Sequence, residues 1–392
     1  MKKTVFAFGA IMAIVLGVLI GAKAIPFHSN KENVIENGKK QVKDQKKITS
    51  VKTKILFAGT TFWGRRTNQN ARASELGVKY PFSQLNTLEP EKYDAWIGGL
   101  ECPVTNNGHN NQEENTIFKF NCDPDYLVEA KKYFTAFLLG NNHTDNQGVD
   151  GFIETKKHLD ENGIQYFGSY DYRDGKNNCD VIVLPVEVSY NDKTLKTFQL
   201  PFGFCSAHGV YGVPTEDVLL NMKKYAAVLP TIAMPHMGAE YKATLDELRQ
   251  NLYHKMIDYG VEAVIGDHPH WIQNTEAYKN RLIVYSMGNF MFDQTFNKEV
   301  SRSAAIEANV DVDANESDLK KWDKIGKNCL KNKETCMNDI EKAGLSKLQL
   351  TWKYDYHGTT SAENRITRLA NEQEQIEIGQ RLDWTKTSQG LK

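Results

Sequence analysis

The feature that most constrains this chain is a series of short apolar segments, each bounded by glycine, proline or polar residues. Such segments are typical of buried strands. They span 54–59, 94–100, 134–140, 181–184, 231–235, 263–266 and 282–285. Between them, residues 245–259 predict an amphipathic helix whose apolar stripe comprises Leu245, Leu248, Leu252, Met256 and Tyr259. Strands that alternate with helices predict an α/β layered fold.

Polar residues that can bind metal ions follow four of these strands directly. They are Glu101, Asn142, His143, His236, His268 and His270. In α/β sheets, ligands bind beyond the carboxyl ends of strands, where short loops bring distant residues together. Imidazoles combined with a carboxylate and an amide oxygen suit Zn, Mn or Fe better than Ca. We therefore predict a divalent-metal site built around the last three of these residues.

Each residue taken alone also has a purely structural interpretation. A single histidine is more often a hydrogen-bonded core or surface residue than a ligand, Glu101 could be a solvated carboxylate, and Asn142 could be a turn residue. Six further histidines lack a strand-end setting and are predicted to be structural: His28, His109, His158, His208, His254 and His357. The metal hypothesis rests on the joint occurrence of four such loops.

The N-terminus predicts export. Met1–Lys3 is basic, and Thr4–Ala22 is almost wholly apolar. As a helix this run would rise about 28 Å, close to the thickness of a bilayer core. The basic start predicts a single-pass protein of the cell membrane with an extracytoplasmic domain. Ala22–Ala24 also fits a cleavage site, so secretion after cleavage near Ala24 stays open beside an uncleaved signal anchor.

Cysteine count and charge agree with an exported protein that does not bind nucleic acid. Six cysteines in an exported chain permit disulfides, and the plausible pairs are Cys102–Cys122, Cys179–Cys205 and Cys329–Cys336. The formal net charge is -1, and no long basic run is present in the sequence. No nucleic-acid partner is therefore expected.

The expected organisation has four parts. These are a signal anchor or signal peptide over 1–24, a polar linker over 25–53, a main domain over 54–310, and a C-terminal strand and helix extension over 311–392 that packs on the domain. At the end of the main domain and in this extension we predict an exposed strand over Arg302–Asp313, charged helices over 317–344 and another strand over Leu348–Tyr356.

Six motifs in the same order resemble those of the bacterial capsule synthesis protein CapA family. They are Phe57–Arg65, Gly99–Pro103, Asn141–Gly148, His236–Tyr241, Gly266–His270 and Tyr285–Phe290. That family is associated with making or exporting poly-γ-glutamate, and it resembles the calcineurin-like metallophosphatases in fold. The resemblance implies a four-layer α/β/β/α sandwich over the main domain, preceded by an N-terminal membrane helix.

The resemblance also implies roles for individual residues. Glu101 would bridge two metal ions, and Asn142, His236, His268 and His270 would be further ligands. His143 would be the catalytic residue, as a general acid or oxyanion stabiliser. Arg65 and Glu240 would contact the substrate or orient a ligand.

Three positions depart from the family pattern. Thr60 stands where the family has a ligating Asp, Gly99 where it has Asn, and Asp267 where it often has His. A hydroxyl is a poorer ligand than a carboxylate, so we expect one firm metal position and a weak or empty second one. Asp267 could replace the lost charge if its side chain points inward.

These features support functions of different classes and leave open whether the protein is an enzyme. The first is a membrane-anchored, CapA-like protein whose metal site hydrolyses or transfers groups on an envelope polymer such as poly-γ-glutamate. The second is a non-catalytic component with a degenerate metal site that binds polymer or organises a membrane synthesis complex. Thr60 favours the second and His143 favours the first. A metal-dependent phosphoesterase is a third, suggested by fold analogy alone.

Overall fold

The computed structural model describes residues 46–391 of the chain. The anchor or signal peptide predicted over 1–24, and most of the predicted linker, lie outside these residues. Within 46–391, no helix has the length and apolar character needed to cross a membrane.

Strands and helices alternate along most of the described chain, so the predicted α/β class is confirmed. The strands are β1 (Ile48–Thr61), β2 (Ala95–Leu100), β3 (Ala136–Leu138), β4 (Gln165–Phe167), β5 (Cys179–Tyr190), β6 (Leu195–His208), β7 (Thr231–His236), β8 (Ala263–Ile265), β9 (Thr275–Tyr278), β10 (Arg281–Val284), β11 (Asn289–Met291), β12 (Arg302–Asp313), β13 (Gln349–Thr360) and β14 (Arg368–Leu369). The α-helices are α1 (Arg65–Ala73), α2 (Asn111–Thr116), α3 (Leu127–Ala130), α4 (Gly148–Asn162), α5 (Glu216–Val228), α6 (Glu247–Asp258), α7 (Glu316–Cys329), α8 (Lys333–Ala343), α9 (Glu372–Leu382) and α10 (Trp384–Gly390).

Strand β1 joins two portions of the sheet. Its first half pairs antiparallel with β5, which continues through β6, β7, β8 and β10 to β9. Its second half lies between parallel β2 and antiparallel β12, with β3 and β4 beyond β2 and with β13 and β14 beyond β12. The parallel strands β1, β2 and β3 therefore end at one edge, and β6, β7 and β8 end together in the other portion.

Alternating side chains divide the core into three apolar clusters. In β1, Ile55 and Phe57 face the central cluster, which also receives residues of β5 to β8. Leu56 and Ala58 point the other way, into a cluster with α1, α3 and α4. In β8, Val264 faces a third cluster with α5 and α6. This two-residue period places helices outside both sheet portions, because each strand buries both of its faces.

Two predictions about exposure were wrong. The strand Arg302–Asp313, predicted to be exposed, is mostly buried because it lies between β1 and β13. Residues 48–53, predicted as linker, form the first part of β1 and bury Val51. An alternating pattern was read correctly as a strand, but pairing on both sides cannot be read from one strand alone.

Helix α6 begins and ends near the predicted limits, but its buried face is rotated. Leu248 of the predicted stripe is 55% exposed, whereas Arg249 is buried. The Arg249 guanidinium donates to the Met237 carbonyl and to Gln273, and it pairs with Asp246. These contacts satisfy its donors, so Arg249 can be buried although the apolar pattern predicts that it is exposed to solvent.

Candidate metal centre

The six predicted metal-site residues come together at the carboxyl ends of the parallel strands. Glu101 follows β2, the Asn142–His143 pair follows β3, His236 ends β7, and the other two histidines follow β8. A close approach between β1 and the 286–288 loop supports this edge, since a Cβ at Gly59 would lie 2.1 Å from the Gly288 carbonyl oxygen. Strand pairing thus delivers side chains from distant sequence positions to one place.

Glu101 lies at the middle of this group. It is 1% exposed, and neither carboxylate oxygen has a hydrogen-bond partner within residues 46–391. Its Oε1 lies 3.9 Å from Nε2 of His143, 3.9 Å from Nε2 of His236 and 4.0 Å from Nε2 of His270. Burial, reinforced by the negative charges of neighbouring carboxylates, raises the pKa of Glu101 well above its ordinary value. A buried carboxylate in this setting fits a cation.

His236, His268 and Asn142 form a second, tighter group beside Glu101. Nε2 of His236 lies 2.9 Å from Oδ1 of Asn142 and 3.1 Å from Nδ1 of His268. Two nitrogens bound tetrahedrally to one zinc-like ion at about 2.05 Å lie about 3.3 Å apart, which is close to the observed spacing. Glu101, His236 and His268 are a buried cluster that can hold a metal ion.

Burial favours the neutral form of the two clustered imidazoles. Burial, together with the mutual repulsion of neighbouring imidazoles, lowers the pKa of both His236 and His268 well below its ordinary value. Neutral rings keep a lone pair available for a metal ion, so protons do not compete strongly at neutral pH.

His270 is oriented by Asn289. Its Nδ1 lies 2.7 Å from Oδ1 of Asn289, whose amide nitrogen donates to the Val300 carbonyl. Because the amide nitrogen is committed elsewhere, the amide oxygen accepts and Nδ1 carries the proton. The Nε2 lone pair of His270 is therefore free on the side of Glu101, as expected of a ligating imidazole.

The loop after β8 is backbone-strained at both histidines. His268 has φ 101° and His270 has φ 58°, and Pro269 separates them. Such conformations are costly for residues other than glycine and concentrate at functional sites. The Tyr241 amide donates to the Pro269 carbonyl, and the Tyr241 ring stacks on His270 at 5.6 Å, so the loop is held from outside.

His143 faces the centre through Nε2. Its Nδ1 donates to Oδ1 of Asn146, an oxygen that also accepts from the Phe120 amide. Burial lowers the pKa of His143 to about 4, so the ring is neutral at neutral pH. This state suits a proton acceptor, whereas the predicted general-acid role needs a protonated ring. The catalytic role of His143 stays a prediction.

The two predicted substrate contacts lie in different environments. Arg65 begins α1, is buried, and is paired with Asp293. Its guanidinium lies 4.6 Å from the ring centre of Phe120. Glu240 is exposed in the loop after β7. Their contact with a substrate stays a prediction.

Sequence reasoning overlooked His208, which was predicted to be structural but lies beside the centre. It ends β6 directly opposite His236 in the strand register. Its Nδ1 donates to the Tyr170 carbonyl, and its buried Nε2 has no partner in the described part of the chain. The strand-end rule would have found it, but glycine and proline inside 200–207 obscured the strand.

All three plausible disulfides are present. Cys102–Cys122 follows Glu101 directly, Cys179–Cys205 joins β5 to β6, and Cys329–Cys336 joins α7 to α8. The first of them ties the loop after β2 to a neighbouring segment, which fixes the backbone next to the central carboxylate.

Comparison with known proteins agrees with the motif order. A model of the bacterial capsule synthesis protein PGA_cap matches residues 54–191 and 215–294, more than half of the chain. The PGA biosynthesis protein CapA of Bacillus subtilis (strain 168) is 26% identical over 227 residues, which cover 54% of this chain and 56% of that protein. The capsule biosynthesis protein CapA of Bacillus anthracis is 30% identical over 267 residues, covering 63% and 61%.

The chain thus spans less than two thirds of the length of these two relatives. Among solved structures, that of TT1561 of Thermus thermophilus has a TM-score of 0.31 and 9% identity, covering 65% of this chain and 93% of that one. A likeness of this size carries no argument about fold or function. The family match, in contrast, extends over most of the strands that build the metal centre, and the chain belongs to the bacterial capsule synthesis protein PGA_cap family.

Proposed function

We propose that this protein is a CapA-like component of capsule synthesis or export that hydrolyses or transfers groups on an envelope polymer through a bound divalent metal ion. The observation that carries the proposal is Glu101, a buried carboxylate with three imidazole nitrogens at 3.9, 3.9 and 4.0 Å from one oxygen. The names of the two Bacillus relatives support capsule material, and poly-γ-glutamate in particular, as the substrate.

The chain's own residues would divide the work. Glu101, Asn142, His236 and His268 would hold a Mn, Zn or Fe ion, which lowers the pKa of bound water and polarises the bond under attack. His143 would exchange a proton at Nε2, with Asn146 holding the ring in place. The helices outside two sheet portions and the ligands at strand ends support a four-layer fold of metallophosphatase type.

We further propose that the protein is anchored in the cell membrane by residues 1–24 and that its domain lies outside the cytoplasm. Three disulfides within residues 46–391 support this placement, because disulfides persist in oxidising compartments. Protease added to intact spheroplasts should degrade the domain; full protection with an intact cytoplasmic control would refute the placement.

The activity is tested with the full-length chain, Mn²⁺ or Zn²⁺, and two substrates, poly-γ-glutamate and bis-p-nitrophenyl phosphate. We expect metal-dependent polymer cleavage that is lost in His143→Gln while metal binding persists. Glu307→Gln, a change at a carboxylate bound by Lys54 and His357, is the matched control and should stay active.

Other outcomes separate the alternatives. Metal-dependent polymer binding without cleavage would favour a non-catalytic polymer-binding or complex-organising component. Cleavage of the phosphodiester alone would favour a phosphoesterase. A chain that binds no divalent transition metal would refute the proposal.

A further inference from the structure

Asp267 is a second buried carboxylate at the centre, and its side chain points inward. It follows β8, and its backbone is held by hydrogen bonds to Pro235 and Met237. It is 1% exposed, and Oδ2 accepts a 2.7 Å hydrogen bond from the Thr60 hydroxyl. Its Oδ1 is buried without a partner among the described residues.

The Asp267 carboxylate occupies space that the ends of β1 and β2 leave open. Thr60 and Gly99 are register partners on these two strands. A Cβ added at Gly99 would lie 3.4 Å from Oδ2 of Asp267, so any longer side chain there would compete for the same space. Gly99, which has no side chain, and Thr60, which has no carboxylate, therefore both leave room for the carboxylate of Asp267.

Glu101 and Asp267 are two buried carboxylates at the same sheet edge, and together they need a compensating charge. The charge of Asp267 acts directly on Glu101, whose two oxygens also lack donors within 46–391. Uncompensated buried charges destabilise a fold, so proteins pair them or bind a cation. Nε2 of His270 lies 4.0 Å from Oε1 of Glu101.

We propose that Asp267, with Glu101 and His270, forms a second divalent-cation position, in which Asp267 supplies the carboxylate that position 60 lacks. This position is separate from the group formed by Asn142, His236 and His268, although Glu101 belongs to both. The Thr60 hydroxyl donates to Oδ2 of Asp267, so Oδ1 is the oxygen that would bind the cation, and Thr60 is not itself a ligand. The inference rests on the metal-binding part of the proposed function.

The test measures Mn²⁺ bound per full-length chain by equilibrium dialysis and mass spectrometry, so that no activity is needed. Wild type should bind two ions, Asp267→Asn one, and the double variant Thr60→Asp/Asp267→Asn two again, because the carboxylate returns from the other strand. Thr60→Val keeps Asp267 and should retain two ions. Glu307→Gln, which removes a buried carboxylate elsewhere, should also retain two.

Several results would overturn the inference. Asp267 would be excluded as a ligand if Asp267→Asn still binds two ions. It would also be excluded if wild type and Asp267→Asn both bind one ion. Either result would leave the proposed function intact. Loss of an ion in Thr60→Val would assign the ligand to the hydroxyl instead. Wild type that binds no Mn²⁺ or Zn²⁺ would overturn both this inference and the proposed function. If Asp267→Asn does not fold, failure of the double variant to bind two ions decides against the inference.

Discussion

Replacing Glu101 by Gln should change stability in opposite directions with and without metal. In the metal-free protein the carboxylate is buried without donors among the described residues, and Gln removes its charge while keeping its shape. With metal bound, the same change removes a metal ligand, the carboxylate around which His143, His236 and His270 lie. We therefore expect a stabilised metal-free variant and a variant that metal stabilises poorly.

The magnitudes follow from burial and mass action. A buried charge without a partner costs more than a neutral polar group, so removing the charge should make the metal-free variant more stable by about 2 kcal/mol. Metal at 100 times its Kd stabilises wild type by about 2.7 kcal/mol, and a variant whose Kd is raised 100-fold gains only about 0.4 kcal/mol. Because folding raises the pKa of Glu101 above 4.5, the metal-free difference should vanish below that pH and grow as pH rises.

The assay is urea denaturation in a chelator and in Mn²⁺. Glu307→Gln is the control of opposite sign, because hydrogen bonds and charges of its partners outweigh burial and lower the pKa of Glu307 to about 2. It should destabilise the protein equally with and without metal. A Glu101→Gln protein that is destabilised in chelator, and that gains as much from Mn²⁺ as wild type does, would refute the reasoning.

Three further predictions concern His109, the Cys102–Cys122 disulfide and Asn289. Burial would lower the pKa of His109, but the carboxylates of Asp123, 3.1 Å from its Nε2, and of Glu114, 2.8 Å from its Nδ1, raise it to about 9. His109→Gln should therefore cost roughly 2 kcal/mol at pH 6, allowing for solvent screening, and the cost should disappear as pH rises through 9 in urea titrations; a pH-independent cost would contradict this. Without reductant, replacing both cysteines of the Cys102–Cys122 bond by Ala should lower the free energy of unfolding by about 3 kcal/mol relative to wild type. With reductant this difference should disappear, and an equal loss under both conditions would argue against the bond. Asn289→Ala should weaken Mn²⁺ binding by roughly 10- to 100-fold in titrations, because it removes the hydrogen bond that orients the His270 ring. An unchanged affinity would show that Asn289 does not orient a metal ligand.

Much of the centre could be predicted because it depends on parallel strands. A polar residue directly after an apolar strand lies at the sheet edge, whatever the sequence of the segments that connect the strands. This rule located Glu101, His236 and His268. The rule failed for His208, since the glycine and proline within β6 break the apolar pattern that identifies a strand. Each apolar segment predicted as a strand overlaps a strand of the structure. The patterns alone did not predict which strands pair with one another.

Side-chain direction beyond a strand end was harder to predict. Asp267 lies two residues after the end of β8, in a loop with a left-handed backbone at His268, so strand alternation no longer predicts the direction of its side chain. The neighbours of its carboxylate, the Thr60 hydroxyl and the space left by Gly99, are both distant in sequence. Arg249 was missed for a similar reason, because its burial depends on acceptors from other segments.

Anomalous diffraction from crystals of the chain soaked with Mn²⁺, measured at the manganese edge, addresses the metal centre most directly. We predict a peak bonded to Glu101, Asn142, His236 and His268 at ligand distances of about 2.0–2.3 Å. A crystal with no anomalous peak among these residues, while Mn²⁺ is bound in solution at the same concentration, would contradict the assignment of this cluster as the metal centre.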